Sequence, residues 1–426
     1  MSDQSYVRTE MLEEQPAPLG QTGVLKWSRE NLFSSIPNSI MTIVSVVVVA
    51  FLLWEFIPWA WQDSWNASSR RECLDSTEIT GACWGVITEL FNQLMFGFYP
   101  HELQWRVLLC FVLLIAAIAP VLFDKLPRKM LWFSAIYPFF GYWLLWGGSL
   151  WGPVVVIAGF VFGYLVMRLL SQALGGLTAM ILAVLTPLIW WLLFAGAAAD
   201  ILHGILPIGI EAVKSSKFGG LSLSLIIGLA GIAISFPLGI VLALGRQSDM
   251  FIVKTLSVGY IEFIRGVPLI TLLFVASVLL NYFMPKGTNF DIILRVVIMV
   301  TLFSAAYMAE VIRGGLAALP TGQYEAADAL GLDYWQSMQL IIMPQALKIS
   351  IPGIVGTFIG LFKDTTLVSI IGLLDPIGLT TAIRGDSDWN GIVWELYIFI
   401  ALMFWVFTFS MSRYSMYLEN KLKTSH

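Results

Sequence analysis

Apolar runs of roughly twenty residues recur along the chain, each closed by a short polar link, and a run of that length crosses ~30 Å of hydrocarbon as a helix. They fall at 38–58, 105–123, 131–146, 153–170, 177–198, 221–244, 257–284, 291–312, 346–362 and 392–411. Pro187 predicts a bend in the fifth run, and Gly266 with Pro268 interrupts the long seventh. Trp54, Trp59, Trp61 and Trp65 cluster around the far end of the first, as an interfacial aromatic belt does. Within the loop near 59–104, residues 84–98 predict a surface helix.

Composition sharpens this picture. Of 426 residues, 58% are hydrophobic and 12% charged, where a soluble domain is closer to ~25% charged. The ten-residue alternation of a membrane barrel is absent. The fold class is therefore an all-α polytopic membrane protein with about ten transmembrane helices. The net charge of −4 says little, because placement matters more than the sum, and no basic tract suits nucleic acid.

Residues 1–37 are polar and carry Pro16, Pro18 and Gly20, which predicts a flexible tail rather than a cleavable signal. Short links rich in Lys and Arg stay in the cytoplasm. The links that hold Lys125, Arg128 and Lys129, then Arg168, Arg246 with Lys254, and Arg313, together with a tail holding Arg413, Lys421 and Lys423, all fall on one side of the membrane. Both termini and the stretch 314–344 then face the cytoplasm, and loop 59–104 faces the periplasm. An oxidising periplasm would permit a bond between Cys73 and Cys83, while Cys110 reads as a small apolar residue inside a span.

Candidate chemistry is concentrated in the second half. Residues 325–344 are mixed and polar between two apolar runs. Glu325 to Ala329 favours helix, Gly331 can end it at positive φ, and Asp333 with Gln336 fits a capping box that opens a second short helix. Pro344 then bars an uninterrupted run into the next span. Glu262 with Arg265 and Glu310 with Arg313 are each three apart on one helix face, so each pair could neutralise itself. His203 has no Cys or carboxylate cluster at ligand spacing, so no metal site is expected. No nucleophile–base constellation and no G-x-x-x-x-G-K-[ST] phosphate cradle occurs, so no enzyme is expected.

The spacing E-A-A-x3-G-x9-I-x-x-P at Glu325, Ala326, Ala327, Gly331, Ile341 and Pro344 resembles the cytoplasmic coupling loop of ABC importer permeases. Further stretches resemble the polar amino-acid branch of that family, and the long form resembles its general L-amino-acid type. They are Phe218-Gly-Gly-Leu-Ser-Leu-Ser, Tyr260-Ile-Glu-Phe-Ile-Arg-Gly-Val-Pro-Leu-Ile, Ser304-Ala-Ala-Tyr-Met-Ala-Glu-Val-Ile-Arg-Gly-Gly and Lys363-Asp-Thr-Thr-Leu. Met343 and Thr366 stand where that family more often carries Leu and Ser.

The resemblance implies a five-helix permease core at 215–426, preceded by an extension of about five spans over 38–214. It implies a bacterial inner-membrane complex with a pair of ATPase subunits, a second, shorter permease subunit and a periplasmic binding protein that delivers an amino acid. ATP and Mg would be used by the ATPase, with no cofactor on this chain. Coupling would run through Glu325, Ala326, Ala327, Gly331, Ile341 and Pro344. The substrate path would draw on Glu310, Arg313, Glu262, Arg265, Lys363, Asp364 and Thr365. Two other readings compete: an ion-coupled secondary transporter built on an inverted repeat, and a scaffold that transports nothing.

Overall fold

The fold is that of a computed structural model, which describes residues 23–61, 64–76, 81–123, 125–279, 282 and 291–422. Of the tail expected over 1–37, residues 1–22 lie outside these, and Gly23–Asn31 (α1) is an exposed helix. Asp124 and Lys423 also lie outside.

The packing divides into two units, one ending at Gly85 and the other beginning at Val86. In the first, α2 (Ile36–Ala60) starts at Ser35, whose hydroxyl accepts the Asn38 N–H, and it buries no residue. It is apolar on every side, as a helix bathed in lipid is. After α3 (Arg70–Ser76), a disulfide joins Cys73 to Cys83 with their Cα atoms 5.8 Å apart. The Trp65 and Trp84 rings stack at 5.4 Å beside it.

The second unit takes in α4 (Gly85–Phe96), α5 (Gln104–Leu122), α6 (Leu131–Trp146), α7 (Trp151–Leu174), α8 (Gly176–Ile189) and α9 (Ala195–Ile205). The helix at 84–98 forms as expected, but it is largely buried on one side rather than lying free on the surface. The break near Pro187 is a π turn at Trp190–Phe194 between α8 and α9. It turns Trp190 and Trp191 so that their indole N–H groups donate to the Val155 and Val156 carbonyls of α7.

The same unit continues through α10 (Gly220–Gln247), α11 (Phe251–Gly266), α12 (Leu269–Phe274), α13 (Ile292–Ala317), α14 (Thr321–Ala329), α15 (Tyr334–Ser337), α16 (Met343–Asp364), α17 (Pro376–Arg384) and α18 (Trp394–Leu422). Among the described residues, eight helical runs are long and apolar enough to cross a membrane. α6, with 16 residues, reaches only about 24 Å. The seventh span expected at 257–284 is not one helix. α11 and the run Leu269–Leu279 meet at 101°, because Pro268 cannot donate to the ladder and pins its own φ. Among the described residues the eight runs and this elbow give nine candidate spans, and α6, at the place of the expected third span, falls short of that length, so the expected ten are not all found.

Glycines set the register of the central helices. Gly231 faces Val300 and Leu361 at 3.2 Å, and a Cβ at Gly239 would meet Met308 Cγ at 2.5 Å. α10 and α13 therefore run parallel. Gly353 faces Val311 and Gly315 faces Ala346, so α16 returns antiparallel to α13. Close backbone approach over small residues is what holds helices together where lipid gives no hydrophobic drive.

α10 begins at a backbone seam. Gly97 bridges to Phe218 antiparallel, and Gly219 bridges to Leu374 in parallel. The Gly220 N–H donates to Leu374 O at 2.7 Å. Gly97 and Gly220 have positive φ, and any Cβ on Gly97 would overlap Gly219.

Candidate functional site

Two features of the second unit carry chemistry: a node of ionised side chains and a bent hairpin beside it.

The node forms because α11 crosses the ends of α10 and α13. Ser257 packs on Gly245, and the Tyr260 hydroxyl donates to Leu302 O at 2.7 Å. Arg246 Nη1, at the end of α10, then lies 2.8 Å from Glu262 Oε1 and 2.6 Å from Glu310 Oε1. Arg313 Nε lies 3.1 Å and Arg265 Nη1 3.8 Å from Glu310 Oε2. The Arg265 guanidinium also sits 5.7 Å from the Tyr307 ring centroid, a cation–π distance.

Glu310 is thus the hub for three guanidinium groups. Its side chain is 17% exposed, against 54% for Glu262. Its Oε1 is within ion-pair reach of Arg246 but makes no hydrogen bond of good angle, so charge rather than direction holds that contact. Three arginines against two glutamates leave the node one positive charge in excess. Ionisable groups at membrane depth face one another or a polar cavity because lipid cannot solvate them.

One expectation changes here. Glu310 and Arg313 pair as expected from their spacing, but Glu262 and Arg265 do not pair with each other. Glu262 turns to Arg246 and Arg265 to Glu310, because the elbow after Gly266 brings the end of α11 against α13. The sequence marks Arg246 only as a link cation beside Lys254, because 16 residues separate it from Glu262.

Lys363, Asp364 and Thr365 lie elsewhere. Thr365 packs against Gly228 of α10. Eighteen residues separate Gly228 from Arg246, a rise of about 27 Å. Thr365 is fully buried and its hydroxyl donates back to Phe362 O at 2.8 Å. Lys363 is exposed and Asp364 half-buried.

The hairpin follows α13. α14 ends as Gly331 takes φ +69°, and its N–H donates to Asp328 O at 2.9 Å. Asp333 and Gln336 form the expected capping box, at 2.8 and 3.1 Å. The expected stop at Pro344 does not occur. α15 passes through a π turn at Met338–Ile342 straight into α16, and Tyr334–Ile371 is one helical run. Pro344 lies in the first turn of α16, and the wider π ring leaves its missing N–H without a broken ladder.

Ala327 and Ile342 are fully buried, and Ile342 packs with Met338, Leu316, Leu319 and Ala346. Ile341 is half-buried and Pro344 exposed. Glu325, Ala326 and Gly331 lie on the outer surface. Beside them Leu330, Trp335 and Leu340 are 72%, 70% and 66% exposed. An apolar patch on a polar, projecting hairpin is the mark of a protein interface. These three carry no signal of their own in the sequence, because nothing in a short amphipathic run says which apolar side chains will stay uncovered.

The description "Binding-protein-dependent transport system inner membrane component" matches residues 235–424. The whole chain is 57% identical over 433 residues, with 100% of each chain covered, to the glutamate/glutamine/aspartate/asparagine transport system permease protein BztC of Rhodobacter capsulatus. It is 43% identical, over 96% of each chain, to the inner membrane amino-acid ABC transporter permease protein YhdY of Escherichia coli. A shorter relative, the probable glutamine ABC transporter permease protein GlnM of Bacillus subtilis, is 34% identical over 206 residues, 48% of this chain and 90% of its own. With full-length likeness of that order, and with the hairpin and node lying inside the matched segment, this chain belongs to the binding-protein-dependent transport system inner membrane components, the permease subunits of ABC importers.

Proposed function

We propose that this chain moves amino acids from periplasm to cytoplasm as one half of the membrane path of an ATP-driven importer. Its relatives' names point to dicarboxylic amino acids and their amides as the substrates to try first. The observation that carries the reading is the hairpin 321–344, built rigid at its base and apolar at its tip. Such a hairpin suits a cleft on an ATPase subunit facing the cytoplasm, on the same side as both termini.

In this reading Glu325, Ala326 and Gly331 meet the ATPase, while Ala327, Ile341 and Pro344 hold the hairpin's shape. The ATPase pair uses ATP and Mg, and this chain holds neither a cofactor nor an active site of its own. A second, shorter permease completes the path, and a binding protein delivers substrate from the periplasm. Segment 215–426 acts as the permease core, with 38–214 as its extension. Glu310, Arg313, Glu262 and Arg265 serve the cytoplasmic end of the path. Their two signs suit a zwitterion, and closure of the ion pairs would also shut the path. Lys363, Asp364 and Thr365 serve the opposite end.

The test is uptake and ATP hydrolysis in proteoliposomes holding the reconstituted complex. Hydrolysis should rise when binding protein and amino acid are added, and uptake should cease without ATP. Uptake that survives ATP depletion but collapses with an ion gradient would favour the secondary-transport reading instead.

A further inference from the structure

Outside the node and the hairpin, exposed cations also gather where the end of α5 meets α18. The Tyr414 hydroxyl of α18 donates to Leu122 O, the last residue of α5, at 2.7 Å. The Phe123 and Tyr414 rings meet edge to face at 6.5 Å. This contact holds Arg413 beside the turn that carries Lys125, Arg128 and Lys129. All four are exposed, and none has an ion-pair partner among the described residues. Even counting Asp124, next to Lys125 in the sequence, the cluster keeps an excess of positive charge.

Helix electrostatics do not account for the cluster. Lys125 sits past the end of α5, where a cation is favoured. Arg128 and Lys129 open the turn leading into α6, the end at which cations are disfavoured. Structural ion pairs do not account for it either, because no carboxylate is within reach among the described residues. The cluster is also bordered by apolar side chains that nothing covers. Trp132 is 75% exposed and Phe123 50%, with Met130 and Tyr417 beside them. Unpaired guanidinium and ammonium groups next to bare aromatic surface, at the ends of three apolar helices, match an amphiphile with an anionic head and an apolar body.

We propose that this surface is a binding site for an anionic phospholipid of the bilayer. The phosphate is held by Lys125, Arg128, Lys129 and Arg413, and the acyl chains lie along Phe123 and Trp132. Basic clusters at the ends of membrane helices recognise such headgroups, with each charge worth about a fivefold change in affinity.

The test uses the purified intact complex in detergent micelles, titrated with phosphatidylglycerol or phosphatidylcholine and read by native mass spectrometry. The wild type should retain phosphatidylglycerol in preference. K125Q/R128Q/K129Q/R413Q should lose at least tenfold of that retention, and the control K214Q/K217Q should keep it. Equal retention by the quadruple variant, or an equal loss in the control, would overturn the proposal. If the quadruple variant does not assemble, wild-type retention is followed from low to high salt. Screening should lower it, and an unchanged ratio would overturn the proposal. Displacement of retained lipid by millimolar inorganic phosphate would also count against a lipid site, as would protection of Lys125 and Lys129 from acylation only when the ATPase is present.

Discussion

Gln345 Nε2 donates to Gln323 Oε1 at 2.9 Å and to Ile341 O at 3.0 Å. This single amide ties the first helix of the hairpin to the first turn of the span that follows it. In the proposed coupling, this amide is what would pass a force at the tip to α16 without the base opening. Gln345→Ala removes both of these half-buried hydrogen bonds, about 1–2 kcal/mol together. The complex should stay assembled, while ATP hydrolysis becomes less responsive to amino acid. Comparing basal and substrate-stimulated hydrolysis checks this.

Gly331 turns the hairpin at φ +69°, and no atom outside its neighbours lies within 4 Å of where its Cβ would be. Two effects of substitution can therefore be separated. Gly331→Asn keeps a residue that tolerates the left-handed region and should keep the fold, whereas Gly331→Val should lose roughly 1–2 kcal/mol. Gly331→Asp also tolerates that region, but puts a carboxylate at the tip. It should leave melting nearly unchanged and reduce stimulated hydrolysis several-fold. Normal stimulation in Gly331→Asp would show that the tip touches nothing.

Glu310 and Glu262 differ in what they hold. Glu262 is half exposed and serves Arg246, so Glu262→Gln should change stability by less than about 1 kcal/mol. Glu310→Gln leaves Arg246, Arg265 and Arg313 facing one another around a poorly solvated centre. It should cost roughly 2–3 kcal/mol, and Arg246→Gln in the same chain should recover part of that loss. Thermal unfolding of the four complexes gives the cycle.

Asp375 caps α17 by accepting the Ile377 and Gly378 N–H groups, and it lies outside the candidate spans. Burial pushes its carboxyl up to about 6, and these two N–H donors offset only part of that rise. Between the ordinary carboxylate value and about 6, the folded chain holds a proton that the unfolded chain releases. Stability from this group is therefore present at low pH and falls as pH rises through that window. Relative to Asp375→Asn, the wild type should lose up to about 3 kcal/mol between pH 4 and pH 7. Melting temperatures of the two across that range test the sign.

The seam at Gly97, Gly219 and Gly220 leaves no room for side chains. Gly219→Val should displace α4 and Leu374 from the start of α10 and cost several kcal/mol, whereas Gly196→Val, where a Cβ meets open space, should be tolerated. Yield of assembled complex after detergent extraction distinguishes them.

Local chemistry made much of this legible in the sequence. The positive φ at Gly331 and the Asp333–Gln336 box are decided within a few residues, and both were foreseen. Span positions followed from apolar length alone. What escaped was set by contacts distant along the chain. Arg246 joins the node only because α11 crosses the end of α10, and Glu262 pairs with it rather than with Arg265, its neighbour in sequence. Pro344 looked like a stop because an α ladder would break there, and a π turn is not visible in residue spacing. That Trp335 stays uncovered is decided by tertiary packing that residue spacing does not record.

The central claim is that the hairpin is gripped by a nucleotide-driven partner on the cytoplasmic side. The most direct measurement places a photo-cross-linking amino acid at Trp335 in the assembled complex. The account predicts a cross-link to the ATPase subunit whose yield changes between the nucleotide-free and ATP-bound states. A cross-link only to the periplasmic binding protein or to lipid, unchanged by nucleotide, would contradict it.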